Sequence, residues 1–339
     1  MGVPILKMAT IGLLPSILKV NYYRATGAKI GKGVKIGLLS ILDVKEIEIG
    51  DNTKIGPLTF IKCNKLKLGK RVKLNMMVAI ETGEVEIGDD STVMEQVIIG
   101  GMLTPRSIIK IGKRVKVFPH SFLNPTEPIT IGNDVGVGGS NYIFTHGSWQ
   151  NILDGFPASF GPVTIENGVW LPWRVFILPN VTIGEYSIIG ADSTITKNIP
   201  ERSIATGSPA QTVVTEGKFI RKFPIEKKDI MVRNILKEFV DYLNYVNIAA
   251  ELIENENGLK INCIRLKKII NYFVDDSAEH GLNTNDYYIF LTKYKTESSA
   301  EIKWFDLDGK QAIYIYNDHL WDEIKNFFSR YGIRFEYLN

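Results

Sequence analysis

The chain has 339 residues, 45% hydrophobic and 23% charged, and 40 Lys and Arg against 37 Asp and Glu leave a formal net charge of +3. That balance lacks the basic face or tail on which nucleic-acid binding depends, and the length allows two domains. Two cysteines, Cys63 and Cys263, with no C-x-x-C spacing, supply neither a disulfide framework nor a Cys-rich zinc site, which fits a reducing cytoplasm.

In chain order, residues 1–20 are apolar but interrupted by Lys7, Pro15 and Lys19, so they read as neither a signal peptide nor a membrane span. Residues 1–28 are expected to cap the first coil of the repeat, with a peripheral membrane contact through residues 1–20 as the alternative. From Lys29 an aliphatic residue, most often followed by Gly, recurs every six positions in groups of three. The groups begin at Ile30, Ile49, Leu68, Ile87, Ile111, Ile131, Ile165 and Ile183. A period of six does not fit a 3.6-residue helix, but it fits a short strand plus a tight turn, three of which close a triangular coil. That count gives about eight coils. Glycine or Asn-Asp after each aliphatic is expected to supply the turn backbone, including positive φ.

The groups step by 18 to 20 residues except twice, by 24 from Ile87 to Ile111 and by 34 from Ile131 to Ile165. Extra residues therefore leave the coil between Ile99 and Ile111 and between Ile143 and Ile165. The longer insertion holds Thr145-His146-Gly147-Ser148-Trp149, and long loops on a rigid scaffold are where function concentrates. After the repeat, a separate α+β domain is expected over residues 214–339. Its predicted elements are a helix over 230–240, a strand over 260–266, a helix starting in 266–273, and strands over 287–292 and 302–305. A turn at 306–309 then leads into 312–316, followed by a helix over 319–331 and a segment at 333–335. Its aromatics, Trp304, Tyr314, Tyr316, Trp321, Phe327 and Phe328, are expected in the core, with glycan stacking as the alternative.

Over residues 29–213 the repeat resembles the hexapeptide-repeat acyltransferases, and of these the sugar O-acetyltransferases. The resemblance implies a left-handed parallel β-helix, a homotrimer with each site between two subunits, and acetyl-CoA as co-substrate. His146 follows the coil Ile131-Gly-Asn-Asp as the family's general base does, and an imidazole of near-neutral pKa suits removal of a hydroxyl proton. His120 stands where the family carries an acceptor-site asparagine. It is a candidate acceptor-binding residue with Asn124 and Trp149, or a structural histidine. Trp170, Trp173, Arg174, Gly190, Ala191, Thr196 and Lys197 resemble the family's coenzyme A strip. Trp173 departs from the usual small residue, and Gln211 and Val214 replace basic residues, a charge that Arg202, Lys218, Arg221 or Lys222 would supply.

The function implied is acetyl transfer to a sugar hydroxyl in surface-polysaccharide or glycan biosynthesis, cytoplasmic or at the inner face of the membrane. The alternatives are N-acetylation of an amino nucleotide sugar and a non-catalytic β-helix scaffold. No G-x-S-x-G elbow is present, so direct transfer is expected over an acyl-enzyme. No metal is expected: a zinc carbonic anhydrase on such a prism needs three histidine ligands, and the repeat holds two, His120 and His146.

Overall fold

The computed structural model describes residues 5–255, 258–275, 282–292 and 302–338. The chain divides into two compact units, Met1–Ile220 and Arg221–Asn339. The first is mainly β, a parallel solenoid. One face is a ten-stranded sheet built from dipeptide strands such as Lys35–Ile36, Lys54–Ile55, Lys116–Val117 and Trp170–Leu171. All its strands run parallel except the last, Ala210–Val214, which folds back antiparallel on Ile204–Gly207.

The expected count of eight coils does not hold. Nine parallel strands already stack on that face, because 204–207 adds a rung after the last complete group. The other two faces merge into one 14-stranded sheet. They merge because Ile41–Ile49 and Phe60–Leu68 run straight through one corner as nine-residue strands. No glycine, proline or Asn-Asp breaks the chain between Leu42 and Ile49, so nothing there favours a turn over continued pairing.

The stacked aliphatics fill the interior: Ile36, Ile55, Leu74, Val93, Val117, Val137, Leu171 and Ile189 form one buried file of three. The small residues at the corners have a second role. Ser40, Thr53, Ser91, Ser121 and Ser187 are buried, and each hydroxyl donates to a carbonyl of the next coil while accepting from one of its amides. Thr53, for example, donates to Gly69 O at 2.7 Å and accepts from Val72 N at 3.1 Å. A hydroxyl satisfies both groups where an aliphatic would leave them orphaned.

The turn backbone meets the expectation only in part. The left-handed φ falls on Asn or Asp of the turns, as expected, at Asn52, Asp90 and Asp134, but also on Arg71, Arg114, His120 and Arg174, as well as on Gly33 and Gly168. The repeat glycines instead allow coils to touch. A Cβ on Gly56 would sit 2.5 Å from the Asn75 carbonyl carbon, and one on Gly138 would sit 2.5 Å from that of Pro172.

At the open end, the helix Ser16–Ala25 lies on the first coil with Lys19, Val20 and Tyr23 buried. Ser16 Oγ accepts from Ile36 N at 2.9 Å, Tyr23 OH accepts from Leu42 N at 2.9 Å, and Lys19 Nζ donates to Gly37 O. Among the described residues no helix is long and apolar enough to cross a membrane.

The second unit holds the helices Ile225–Tyr245 and His319–Arg330 and a seven-stranded mixed sheet. The helix expected from 266 is a strand, Lys268–Phe273, paired antiparallel with Gly258–Cys263 across a turn at Lys267, whose φ is 52°. Ile270 and Tyr272 are buried on one side, a period of two that tertiary pairing selects over local helix propensity. The final strand is Glu336–Leu338, just beyond the segment expected at 333–335. Trp304, Trp321, Phe327 and Phe328 are core, whereas Tyr316 is exposed.

Candidate active site

Three residues after the stacked Ile143, His146 opens the long insertion, and a fold-back fixes it there. The pair His146–Gly147 runs antiparallel to Ser159–Phe160, and Gly161 N donates to Thr145 O at 3.0 Å. The imidazole lies between two rings: Phe160 stacks on it at 6.1 Å and Phe144 approaches tilted at 6.2 Å. Its Nδ1 is buried without a hydrogen-bond partner among the described residues, so Nε2 is the nitrogen left to meet a ligand.

Thr145 anchors this arrangement from below. It is fully buried, its hydroxyl donates to Asn124 O at 2.7 Å, and it accepts from Glu127 N at 2.9 Å. The shorter insertion docks on the same seam. Thr104 Oγ1 donates to Thr126 O at 2.9 Å, and Arg106 pairs with the buried Glu127 carboxylate at 2.6 Å. Both loops therefore converge on residues 124–127. Further down this corner, a cavity of about 540 Å³ is lined by Asp43, Lys62, Asn64, Thr82, Leu103 and Pro105.

The sequence-predicted residues fall on two corners of the prism. Asn124 is in register with Phe144, hence on the His146 corner, but it is buried and its Oδ1 accepts from Thr126 Oγ1 at 2.8 Å. Thr196 and Lys197 follow strand Thr194–Ile195, which continues the file through Phe176–Ile177 to Tyr142–Phe144, and both occupy the same corner, with Lys197 exposed. Trp149 lies out on the loop, 91% exposed.

His120 sits on the preceding corner, exposed and with φ 61°. That turn position stacks on through Ser140 and Arg174 to Asp192, so the candidate coenzyme strip is split: His120 shares a file with Trp173, Arg174 and Ala191, whereas Thr196 and Lys197 lie on the corner of His146. Trp170 and Trp173 are exposed there, and Ala191 with Gly190 forms the next rung. Arg174 is already engaged: its guanidinium grips Asp192 with two hydrogen bonds of 2.5 and 2.7 Å. Those hydrogen bonds hold the Asp192 carboxyl below its ordinary value and raise Arg174 above its own. Lys197 is the other cation of the strip. Among the described residues no group of three or more His, Cys, Asp or Glu side chains is placed to hold a metal ion.

Between the two corners lies a face that sequence reasoning did not single out. Phe176 stacks on Tyr142 at 6.0 Å and on Phe144 at 5.2 Å, and Phe122 meets Phe144 edge-on at 5.4 Å. These are the outward positions beside the stacked aliphatics, where aromatic residues recur at coil spacing. That recurrence is the signal that would have found them.

Residues 162–197 match the family model of the bacterial transferase hexapeptide, six repeats. Over 91 residues, 25% of this chain, the sequence is 43% identical to a protein of Schizosaccharomyces pombe provisionally named an acetyltransferase, and it covers 42% of that protein. Over 52 residues, 15% of this chain, it is 48% identical to galactoside O-acetyltransferase of Escherichia coli, covering 26% of that protein. The chain thus spans about half the length, or less, of the curated relatives it matches. Among solved structures, the polySia-specific acetyltransferase NeuO is similar with a TM-score of 0.38 and 19% identity, over 62% of this chain and 93% of that one.

Proposed function

We propose, from the premise that the chain is a hexapeptide-repeat protein of the bacterial transferase family, that its prism transfers an acetyl group from acetyl-CoA to a sugar hydroxyl. The observation that carries this reading is the His146 imidazole, clamped between Phe144 and Phe160 with Nδ1 turned inward at the mouth of the longest insertion. A base held in one orientation, with one nitrogen free, suits proton removal from an acceptor. The names of the relatives supply the acetyl group and the sugar.

In this reading Nε2 takes the acceptor hydroxyl proton as the oxygen attacks the thioester carbonyl. The new C–O bond replaces the C–S bond, and the proton passes from the imidazolium to the departing thiolate. Trp170, Trp173 and the backbone at Ala191 line the groove for the pantetheine arm, and Lys197 meets its phosphates. Because His146 and the Trp173 file occupy different corners, the ligand groove is completed by packing prisms side by side, as a trimer would.

The test is incubation with acetyl-CoA and a panel of nucleotide sugars, lipid-linked glycans and oligosaccharides, read as the mass gain of one acetyl group. His146→Ala should keep coenzyme A binding and lose turnover by about 10²- to 10⁴-fold. Full activity in that variant would remove His146 from the mechanism, and acetylation of an amine alone would move the reading to N-transfer.

A further inference from the structure

The prism corner that carries His146 holds a second concave feature, which the acetyl-transfer reading does not use. The strands Ile41–Ile49 and Phe60–Leu68 run straight across this corner, whereas the next coil breaks into Ala79–Glu81 and Glu84–Ile87, with a bend at Thr82 and Gly83. The shorter insertion closes one side of the break with Leu103, Thr104 and Pro105. The cavity left there, about 540 Å³, is within the size range of small-ligand sites. Its walls are bonded in place. Ser107 O accepts from Thr82 Oγ1 at 3.0 Å and from Gly83 N at 2.9 Å, and Asn64 N donates to Gly83 O at 2.8 Å. Thr104 is held by Ser107 and Thr126, so the cavity is formed before a ligand arrives.

The lining carries most of its charge in compensated pairs. Asp43, Lys62 and Glu81 face one another in register on successive strands. Lys62 Nζ donates to Glu81 at 2.8 Å and Lys7 Nζ to Asp43 at 2.6 Å. The Asp43 carboxylate and the Lys62 ammonium each keep hydrogen-bonding capacity beyond that one bond. The side chains of Lys45 and Asn64 also line the cavity and make no hydrogen bond or ion pair among the described residues. Val44, Leu103 and Pro105 place apolar carbon between these groups. An anion here would meet the Asp43 carboxylate, a cation would meet the Lys45 and Lys62 ammonium groups, and an apolar ligand would strip water from both ion pairs. The lining fits an uncharged molecule whose hydroxyls both donate and accept and whose C–H faces rest on the apolar carbon, which is the chemistry of a saccharide.

We infer that this cavity is a distal saccharide subsite, holding one end of an extended acceptor whose other end reacts at His146. The reacting end of this inference rests on the acetyl-transfer reading; the saccharide end rests on the cavity. The stacked file runs from Ile61 through Ile80, Ile99 and Leu123 to Ile143, so three to four strand spacings, roughly 15–20 Å, separate the cavity from the rung that leads to His146. One sugar ring does not reach across that distance, whereas a chain of several rings does. Contacts so remote from the reacting hydroxyl are equal in ground and transition state, so they lower the KM for the acceptor and leave kcat alone.

The test applies the full chain, without acetyl-CoA, to an array of neutral and acidic glycans running from mono- to hexasaccharides. Wild-type protein should bind neutral oligosaccharides about tenfold more tightly than the matching monosaccharides, the value of one or two hydrogen bonds. The double variant Lys45→Ala/Asn64→Ala removes two exposed side chains that hold nothing in the fold, so it should melt like wild type and lose that preference. In the acetylation assay the acceptor KM should fall about tenfold from mono- to hexasaccharide at constant kcat, and the double variant should erase the fall while keeping the monosaccharide kinetics. Wild-type protein that binds no neutral oligosaccharide overturns the inference, as does a double variant that binds them like wild type, or retention of acidic glycans alone. Oligosaccharide binding that the double variant loses, without acetyl transfer to any acceptor, upholds the cavity as a saccharide site and rejects the acetyl-transfer reading. Acetyl transfer with a KM independent of chain length rejects the subsite and leaves that reading standing.

Discussion

Replacing Thr145 by Val isolates the contact that anchors the His146 loop. The swap keeps shape and volume and removes one hydroxyl, which donates to Asn124 O and accepts from Glu127 N in a fully buried position. Two backbone groups lose that partner where water does not reach, at about 1–3 kcal/mol each, partly offset by the better burial of a methyl. The expected loss is about 2–4 kcal/mol, which for a unit of this size lowers the Tm by roughly 5–15 °C. His146 is the next residue in the chain, so a shift of a few tenths of an ångström in the seam should cut kcat about tenfold and leave the KM for acetyl-CoA unchanged. Scanning calorimetry and steady-state kinetics on Thr145→Val and Thr145→Ser read both effects, and Ser should restore most of each. A Val variant that melts within about 1 °C of wild type would refute the assignment of the hydroxyl as the link between coils.

Other outcomes rest on single contacts. A Cβ on Gly139 would lie 2.2 Å from the Trp173 ring, so Gly139→Val should turn that exposed indole aside, raising the KM for acetyl-CoA about tenfold with under ~1.5 kcal/mol of stability lost, measured by kinetics and urea unfolding. Burial pushes the Cys63 thiol up to about 12 and that of Cys263 up to about 11. Ellman's reagent at pH 8 should therefore find almost no reactive thiol in the native protein and two after denaturation. Burial opposes ionisation of Asp318, but the Tyr287 hydroxyl, the Trp321 N–H and the ammonium groups of Lys268 and Lys303 outweigh it and hold the carboxyl below its ordinary value. Its contribution is complete above the unfolded value of about 3.9 and is lost as pH falls through the lower folded value. Asp318→Ala should cost about 2–4 kcal/mol at pH 7 and flatten the acid limb, followed by tryptophan fluorescence in urea.

How far the sequence reached depended on which signals are local. The six-residue period and its two interruptions placed the prism and both loops, since each stacked aliphatic is a local mark repeated by every coil. The phase of that period also separates the histidines: His120 comes after the middle aliphatic of its coil and His146 after the last, so they sit on different corners. The features that pattern alone missed depend on contact. The Phe160 stack on His146 closes across the loop, and the Thr145 bridge joins neighbouring coils. The turn backbone was placed only in part: Asn52, Asp90 and Asp134 take the left-handed φ as expected, but so do residues such as Arg114 and His120, and the glycines that follow the stacked aliphatics answer to crowding between coils. In the second unit, Lys268–Phe273 lacks a clear local pattern and takes its strand form from the neighbours on either side.

The fold-back of Ala210–Val214 on Ile204–Gly207 has a consequence beyond its own few bonds. A solenoid built by adding coils has no intrinsic stopping point, and a bare last rung offers the start of any other prism a template for end-to-end growth. An antiparallel strand presents the wrong bonding pattern for another parallel coil, so it terminates the edge chemically. With the helix Ser16–Ala25 seated on the first rung, both ends of the prism are closed to filament formation, and association is left to the sides.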